Sequence, residues 1–131
     1  MKRSAVNPWE WSLKFGFNQG EAVEEHTRML VCAGQTSLDA DGEVAHPGDM
    51  ARQIGQALDN VEAVLAEAGM DLTNVVRLNM YTTDMQLFLE HVSVMGKRLE
   101  AVRAAPPGSL LQVSGLAFPE LLVELEATAV S

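Results

Sequence analysis

Apolar residues recur at steps of three and four between Met50 and Ala68: Met50, Ile54, Ala57, Leu58, Val61, Val64, Leu65 and Ala68. That spacing lines one face of a helix of about five turns. Asp49, after Pro47-Gly48, predicts its N-cap, and Gly69 stands where a C-terminal glycine belongs. The pattern then changes period. In "NVVRLNMYTTD", Val76, Leu78 and Met80 alternate with Arg77, Asn79 and Tyr81, which predicts a strand with two different faces. Met85 to about Val102 predicts a second helix, with Leu87, Phe88, Val92, Met95 and Leu99 as its apolar side, ended by Pro106-Pro107. Upstream, Arg28–Ala33 ("RMLVCA") is a short apolar run that predicts a buried strand ending at Gly34, with Phe17–Glu25 ("FNQGEAVEE") as its antiparallel neighbour. Asp41-Gly42 is a turn signal after which Glu43–Ala45 returns as a short strand. Two final strands, Leu110–Val113 and Leu121–Val130, flank Phe118-Pro119.

The order is strands at both ends with two helices between, an α+β arrangement in which both helices cover one face of a single mixed sheet. The last strand places Leu121, Val123, Leu125, Ala127 and Ala129 on one side and Leu122, Glu124, Glu126 and Thr128 on the other. A sheet covered on one face only predicts packing against copies of itself.

Composition narrows the partners. At 131 residues the chain is expected to be one domain, 1–131, with 1–14 as an N-terminal arm. Asp and Glu outnumber Lys and Arg by 18 to 9, a net charge of −9 that repels phosphate backbones, and the basic residues are scattered; nucleic acid is not an expected partner. No apolar run approaches the roughly 18 residues of a membrane span, so no membrane partner and a cytoplasmic location are expected. Cys32 is the only cysteine, which excludes an intrachain disulfide. It lies in an apolar run and reads as a buried thiol. His26, His46 and His91 lack the close spacing of metal ligands. Asp84, between a strand and a helix, reads as an N-cap, and Trp9 and Trp11 read as anchors of the arm or as the lip of a neighbour's pocket.

Four strings in order carry a resemblance: "FGFNQGEAV", "VCAGQTSLDADGEV", "ARQIGQALDNVEAVLAEAGMDLTNVVRLNMYTTDM" and "VSGLAFPELLVELEATAV". With these the chain resembles the reactive intermediate/imine deaminase family (RidA or YjgF, in older labels L-PSP endoribonuclease), over almost all of its length after the first dozen residues. The resemblance implies a chorismate-mutase-like (YjgF-like) α+β fold, a homotrimer with a barrel-like centre, and small-molecule pockets at the subunit interfaces. It also implies hydrolysis of reactive imines and enamines to carbonyl compounds and ammonia, with no metal or organic cofactor.

A 2-imino acid needs a cation for its carboxylate, best a guanidinium, and a water placed to reach the C=N carbon. The family's arginine lies in a Pro-x-Arg-Ser/Thr turn after the second helix. Here that string is Pro106-Pro107-Gly108-Ser109, so Gly108 stands where the arginine should be. Arg103 or Arg77 is left to substitute, or each is a solvated or interface charge. Glu124 matches the family's glutamate in "VEIEA", which helps position the water, or else it forms a salt bridge between subunits. Gly34 and Gln35 match an "SGQ" string whose glycine backbone contacts ligand, although Gly34 also has a reading in which only its backbone angles matter. Ala33 replaces the serine of that string, and Phe17 replaces a tyrosine. The expected site is therefore Glu124 as the catalytic residue, with Phe17, Ala33, Gly34, Gln35, Gly108, Ser109 and Arg103 around the substrate. Losing arginine, serine and tyrosine together makes the pocket more apolar and its ligand less anionic. The alternatives are an imine or enamine hydrolase of altered preference, a small-molecule binder that has lost turnover, and, less well supported, an endoribonuclease.

Overall fold

The computed structural model describes residues 1–131. Its centre is a mixed sheet in which β7 (Val123–Val130) lies between β5 (Val75–Thr82) on one side and β3 (Met29–Val31) and β4 (Gln35–Thr36) on the other. All three pairings with β7 are antiparallel, with Leu30 opposite Ala129, Thr36 opposite Glu124 and Tyr81 opposite Glu124. β6 (Leu110–Gln112) adds parallel to β5, with Met80 opposite Leu110. A parallel neighbour cannot be reached through a tight turn, so the chain crosses over through α2 (Met85–His91) and α3 (Ser93–Ala101).

The longest helix, α1 (Met50–Glu67), follows the spacing closely. Asp49 accepts a hydrogen bond from the Arg52 N–H, and Ile54, Ala57, Leu58, Val61 and Leu65 have no exposed surface. They pack on Val123, Leu125, Ala127 and Ala129, the inward side of β7. Gly69 adopts φ +73°, the left-handed turn that lets Met70 N–H bond back to Leu65 O.

Four expectations need correction. Phe17–Glu25 does not pair with the strand that follows it. Its ordered part, β2 (Gly20–Glu24), pairs with the N-terminal strand β1 (Lys2–Val6), Lys2 opposite Glu24, in a separate two-stranded sheet. The reason is local: Glu25 turns at φ +59°, and Thr27 and Arg28 then give their N–H groups to Ser131 O at the end of β7. The run Arg28–Ala33 is not a buried strand either. Leu30 and Cys32 turn inward, but Met29 and Val31 point to the uncovered face, 57% and 73% exposed. Glu43–Ala45 makes only one bridge, Val44 to Leu38, because His46 leaves it at φ +57° before Pro47. The second helix is broken at Val92, where ψ of −22° tightens the turn ahead of Ser93-Val94, a serine between two β-branched residues.

β5 also departs from simple alternation. Val75 is opposite Ala129 and Arg77 is opposite Thr128, so Val76 is an extra residue, a β-bulge. The bulge lets Val75 stay in the core while Arg77, Asn79 and Tyr81 share the open face.

Candidate functional site

Both helical layers lie on one side of the sheet, so its other face holds the outward residues of β5 and β7: Arg77, Asn79 and Tyr81 beside Glu124, Glu126 and Thr128. Two carboxylates one step apart on a strand thus share a face with one arginine. The chain's ion pairs are made by Arg3, Arg52 and Arg98. Neither Glu124 nor Arg77 has one.

Glu124 sits at the point where β7 meets both β4 and β5. Its side chain lies over Gly34, the residue before β4. A methyl group built on Gly34 would stand 2.5 Å from Glu124 Oε1 and 2.6 Å from its carboxyl carbon. Gly34 lies outside the left-handed region. The backbone angle therefore does not call for glycine, whereas a side chain at this position would displace the Glu124 carboxylate from where it lies. Ala33 and Gln35 flank it, and Gln35 Nε2 donates to Ala33 O at 3.3 Å, folding the loop on itself.

Glu126 is held differently. Its Oε1 accepts from Asn79 Nδ2 at 3.0 Å and from the Tyr81 hydroxyl at 2.9 Å. The Asn79 bond first and the Tyr81 bond second, with help from Arg77, hold its carboxyl below the usual range. In turn, the bond to Glu126 pushes the Tyr81 hydroxyl up, with added contributions from desolvation and the charges of Glu126 and Glu124. Tyr81 therefore keeps its proton and donates it in the hydrogen bond to Glu126.

The Pro106–Ser109 turn runs along β5. Leu78 N–H donates to Pro107 O at 3.0 Å, Met80 N–H to Ser109 O at 2.8 Å, and Ser109 N–H to Asn79 Oδ1 at 3.1 Å. These bonds press Gly108 so closely on β5 that a Cβ there would overlap the Leu78 carbonyl oxygen. The glycine is a steric requirement of the turn.

Gly34, Ala33 and Gln35 are thus gathered with Glu124, and Gly108 and Ser109 connect to the same face through Asn79. Within one chain, two expected residues lie apart from this group. Arg103 lines a pocket with Thr73 and Val75, at the start of β5, whereas Glu124 faces Tyr81, six residues or about 20 Å further on. Phe17 packs edge-on against Trp11, with ring centres 6.0 Å apart, while Asn18 N–H bonds Ala105 O beside that same start. Trp11 also meets Phe15 at 6.4 Å, so it organises an aromatic group in the arm. Cys32 is buried, and that burial raises its thiol, away from nucleophilic use. Asp84 caps α2 through the Leu87 N–H at 3.0 Å. No three His, Cys, Asp or Glu side chains converge on a common point. No helix is long and apolar enough to cross a membrane.

Two contributors escape sequence reading. Gln53 is fully buried on α1. Its Nε2 donates to His46 O at 3.1 Å and Glu120 O at 2.9 Å, and its Oε1 accepts from Leu122 N–H at 2.8 Å. It fixes the entry to β7 two residues before Glu124. Asn60 similarly donates to Thr36 O and Leu38 O, both at 2.9 Å, holding β4. The only signal for either is an amide inside an apolar helical period.

The family model for the endoribonuclease L-PSP family matches residues 15–131. Protein DfrA of Myxococcus xanthus is 34% identical over 104 residues, covering 79% of this chain and 77% of that protein. The 2-iminobutanoate/2-iminopropanoate deaminase of Escherichia coli strain K12 is 30% identical over 104 residues, covering 78% and 79%. The crystal structure of YyfB from Yersinia pestis, described as a protein of unknown function of the Rid family, superposes with a TM-score of 0.90 at 33% identity over all of both chains. On sequence and fold together, the chain belongs to the endoribonuclease L-PSP family, the group that includes the Rid and YjgF proteins.

Proposed function

We propose that the sheet face around Glu124 binds a small reactive imine or enamine and hydrolyses it. The observation that carries this reading is the Glu124 carboxylate, free of ion pairs and folded over Gly34. Glu124 takes a proton from water as the water oxygen bonds to the C=N carbon. An iminium enters with its nitrogen already protonated; Glu124 returns the proton it took to the carbinolamine nitrogen, and the C–N bond breaks as the hydroxyl loses its proton, giving a carbonyl compound and ammonium. Nothing in that sequence calls for a metal or an organic cofactor. The deaminase activity in the name of the Escherichia coli relative supports the reaction class.

Charge sets the substrate preference. Two carboxylates outweigh Arg77, and the turn at Gly108 offers no guanidinium. Such a face favours a protonated iminium whose body lacks a carboxylate. The uncovered face, with Met29 and Val31 at its edge, supports a homotrimer in which neighbouring copies close the cleft.

The test is ammonia release from imines generated in situ, with a carboxylate (by an amino-acid oxidase) and without one (by an amine oxidase). The expected result is faster release for the second group and a loss of about 10²-fold or more in Glu124→Gln. No acceleration with either group refutes the reading.

Gly108 also favours a second reading, a binder of neutral or cationic small molecules without turnover. In that case Glu124→Ala leaves biological activity intact, while substitutions that fill the cleft abolish it.

A further inference from the structure

A pocket lies away from Glu124, at the junction of the N-terminal strand pair with the main sheet. Its volume is about 350 Å³, and Arg3, Asn18, Glu21 and Arg103 surround it with Ala5 and Pro106. One of its two arginines is committed. Arg3 Nε bonds Glu21, Nη1 bonds Thr73 O and Nη2 donates to Val75 O at 3.2 Å. Glu21 thereby cancels the charge of Arg3. Arg103 is uncommitted: its guanidinium has no ion pair in the chain. Asn18 is half committed. Its Oδ1 accepts from Asn7 Nδ2 at 2.9 Å, which fixes the amide and leaves its own NH₂ for a ligand.

The backbone at Arg103 adds an independent observation. The Arg103 N–H bonds Glu100 O and the Ala104 N–H bonds Leu99 O, both at 2.9 Å, the pair of bonds that closes a helix with a left-handed residue. Arg103 is that residue, at φ +56°. Glycine is the favoured choice there, and an arginine is held at some cost in stability.

We infer that this pocket is a binding site for a small monocarboxylate with a short apolar body. The Arg103 guanidinium and the Asn18 amide supply donors for one carboxylate, the site has one uncompensated positive charge, and Ala5 and Pro106 form an apolar wall. The inference does not rest on the reading of the Glu124 face.

Propionate is the probe, titrated into ¹⁵N-labelled full-length protein and followed by NMR, with ethylammonium as the cationic control. Propionate is expected to shift Asn18, Thr73 and Ala104 amides saturably, and ethylammonium is not. Arg103→Gly is expected to raise Tm by about 4 °C, since glycine suits φ +56°, while weakening propionate about tenfold or more. A folded, more stable variant that loses the ligand separates binding from folding. Glu124→Gln is expected to bind propionate as the unaltered chain does, whatever its effect on imine hydrolysis. The inference is overturned if propionate produces no saturable shifts, if Arg103→Gly binds it equally, or if Glu124→Gln abolishes the shifts.

Discussion

Replacing Gly108 with alanine places one methyl group against the Leu78 carbonyl oxygen. The obstacle is backbone in a central strand, so no rotamer change relieves it. The turn must back away, and in doing so it gives up the bonds Leu78 N–H to Pro107 O and Met80 N–H to Ser109 O. Each is worth about 1 kcal/mol, and the residual strain of overpacking adds roughly 1–3 kcal/mol. Stiffening of the unfolded chain by alanine offsets about 0.4–1 kcal/mol. The net loss is about 3 kcal/mol, or about 12 °C in Tm for a chain of this size. Urea unfolding and a thermal scan measure it directly. Gly108→Arg carries the same Cβ and destabilises at least as much, so it does not restore a carboxylate grip in place. If either variant stays within about 0.5 kcal/mol of the unaltered protein, the steric account of this glycine is wrong.

Gln53→Leu keeps the volume near and removes three hydrogen bonds, leaving Leu122 N–H unpaired; a loss of about 3 kcal/mol is expected in urea unfolding. Gly34→Ala pushes Glu124 from its place with little change in Tm but a marked loss of imine hydrolysis, so unaffected kinetics would contradict the geometry at that pair. Tyr81 is the only tyrosine, so absorbance near 295 nm titrates it alone. Its midpoint should lie above the ordinary tyrosine value and fall in Glu126→Gln, whose neutral amide removes the leading cause of the shift. The sign for stability follows: the raised Tyr81 value gives a contribution present at neutral pH and lost as pH climbs through the folded midpoint. The lowered Glu126 value gives one present above the ordinary glutamate range and lost as pH falls through its folded value.

Periodicity made the longest helix legible. The apolar stripe of α1, its Asp49 cap and Gly69 all lie where spacing placed them, because each depends on residues within one or two turns. Pairing partners were not legible. β2 reads equally well beside β3 or β1, and the choice was made by the turn at Glu25 and by Ser131, more than a hundred residues away. The bulge at Val76 escaped for a similar reason: alternation assumes one residue per step, and the second strand supplies the mismatch. At the candidate site, Glu124 and Gly34 were singled out through family strings, and the structure adds their contact. Arg103 could not be placed from the chain alone, since five residues in a turn measure nothing about direction in space.

Arg3 has a consequence beyond its pocket. Before Leu78, β5 has no strand on the side away from β7, and its carbonyls at Val75 and the preceding Thr73 are instead taken by the Arg3 guanidinium. A single side chain thus stands in for a missing neighbour and denies that edge to a foreign strand. Removing the first six residues would leave the helical layer untouched yet open this edge to template aggregation, so that the N-terminal strand serves the chain as a guard on its colloidal behaviour.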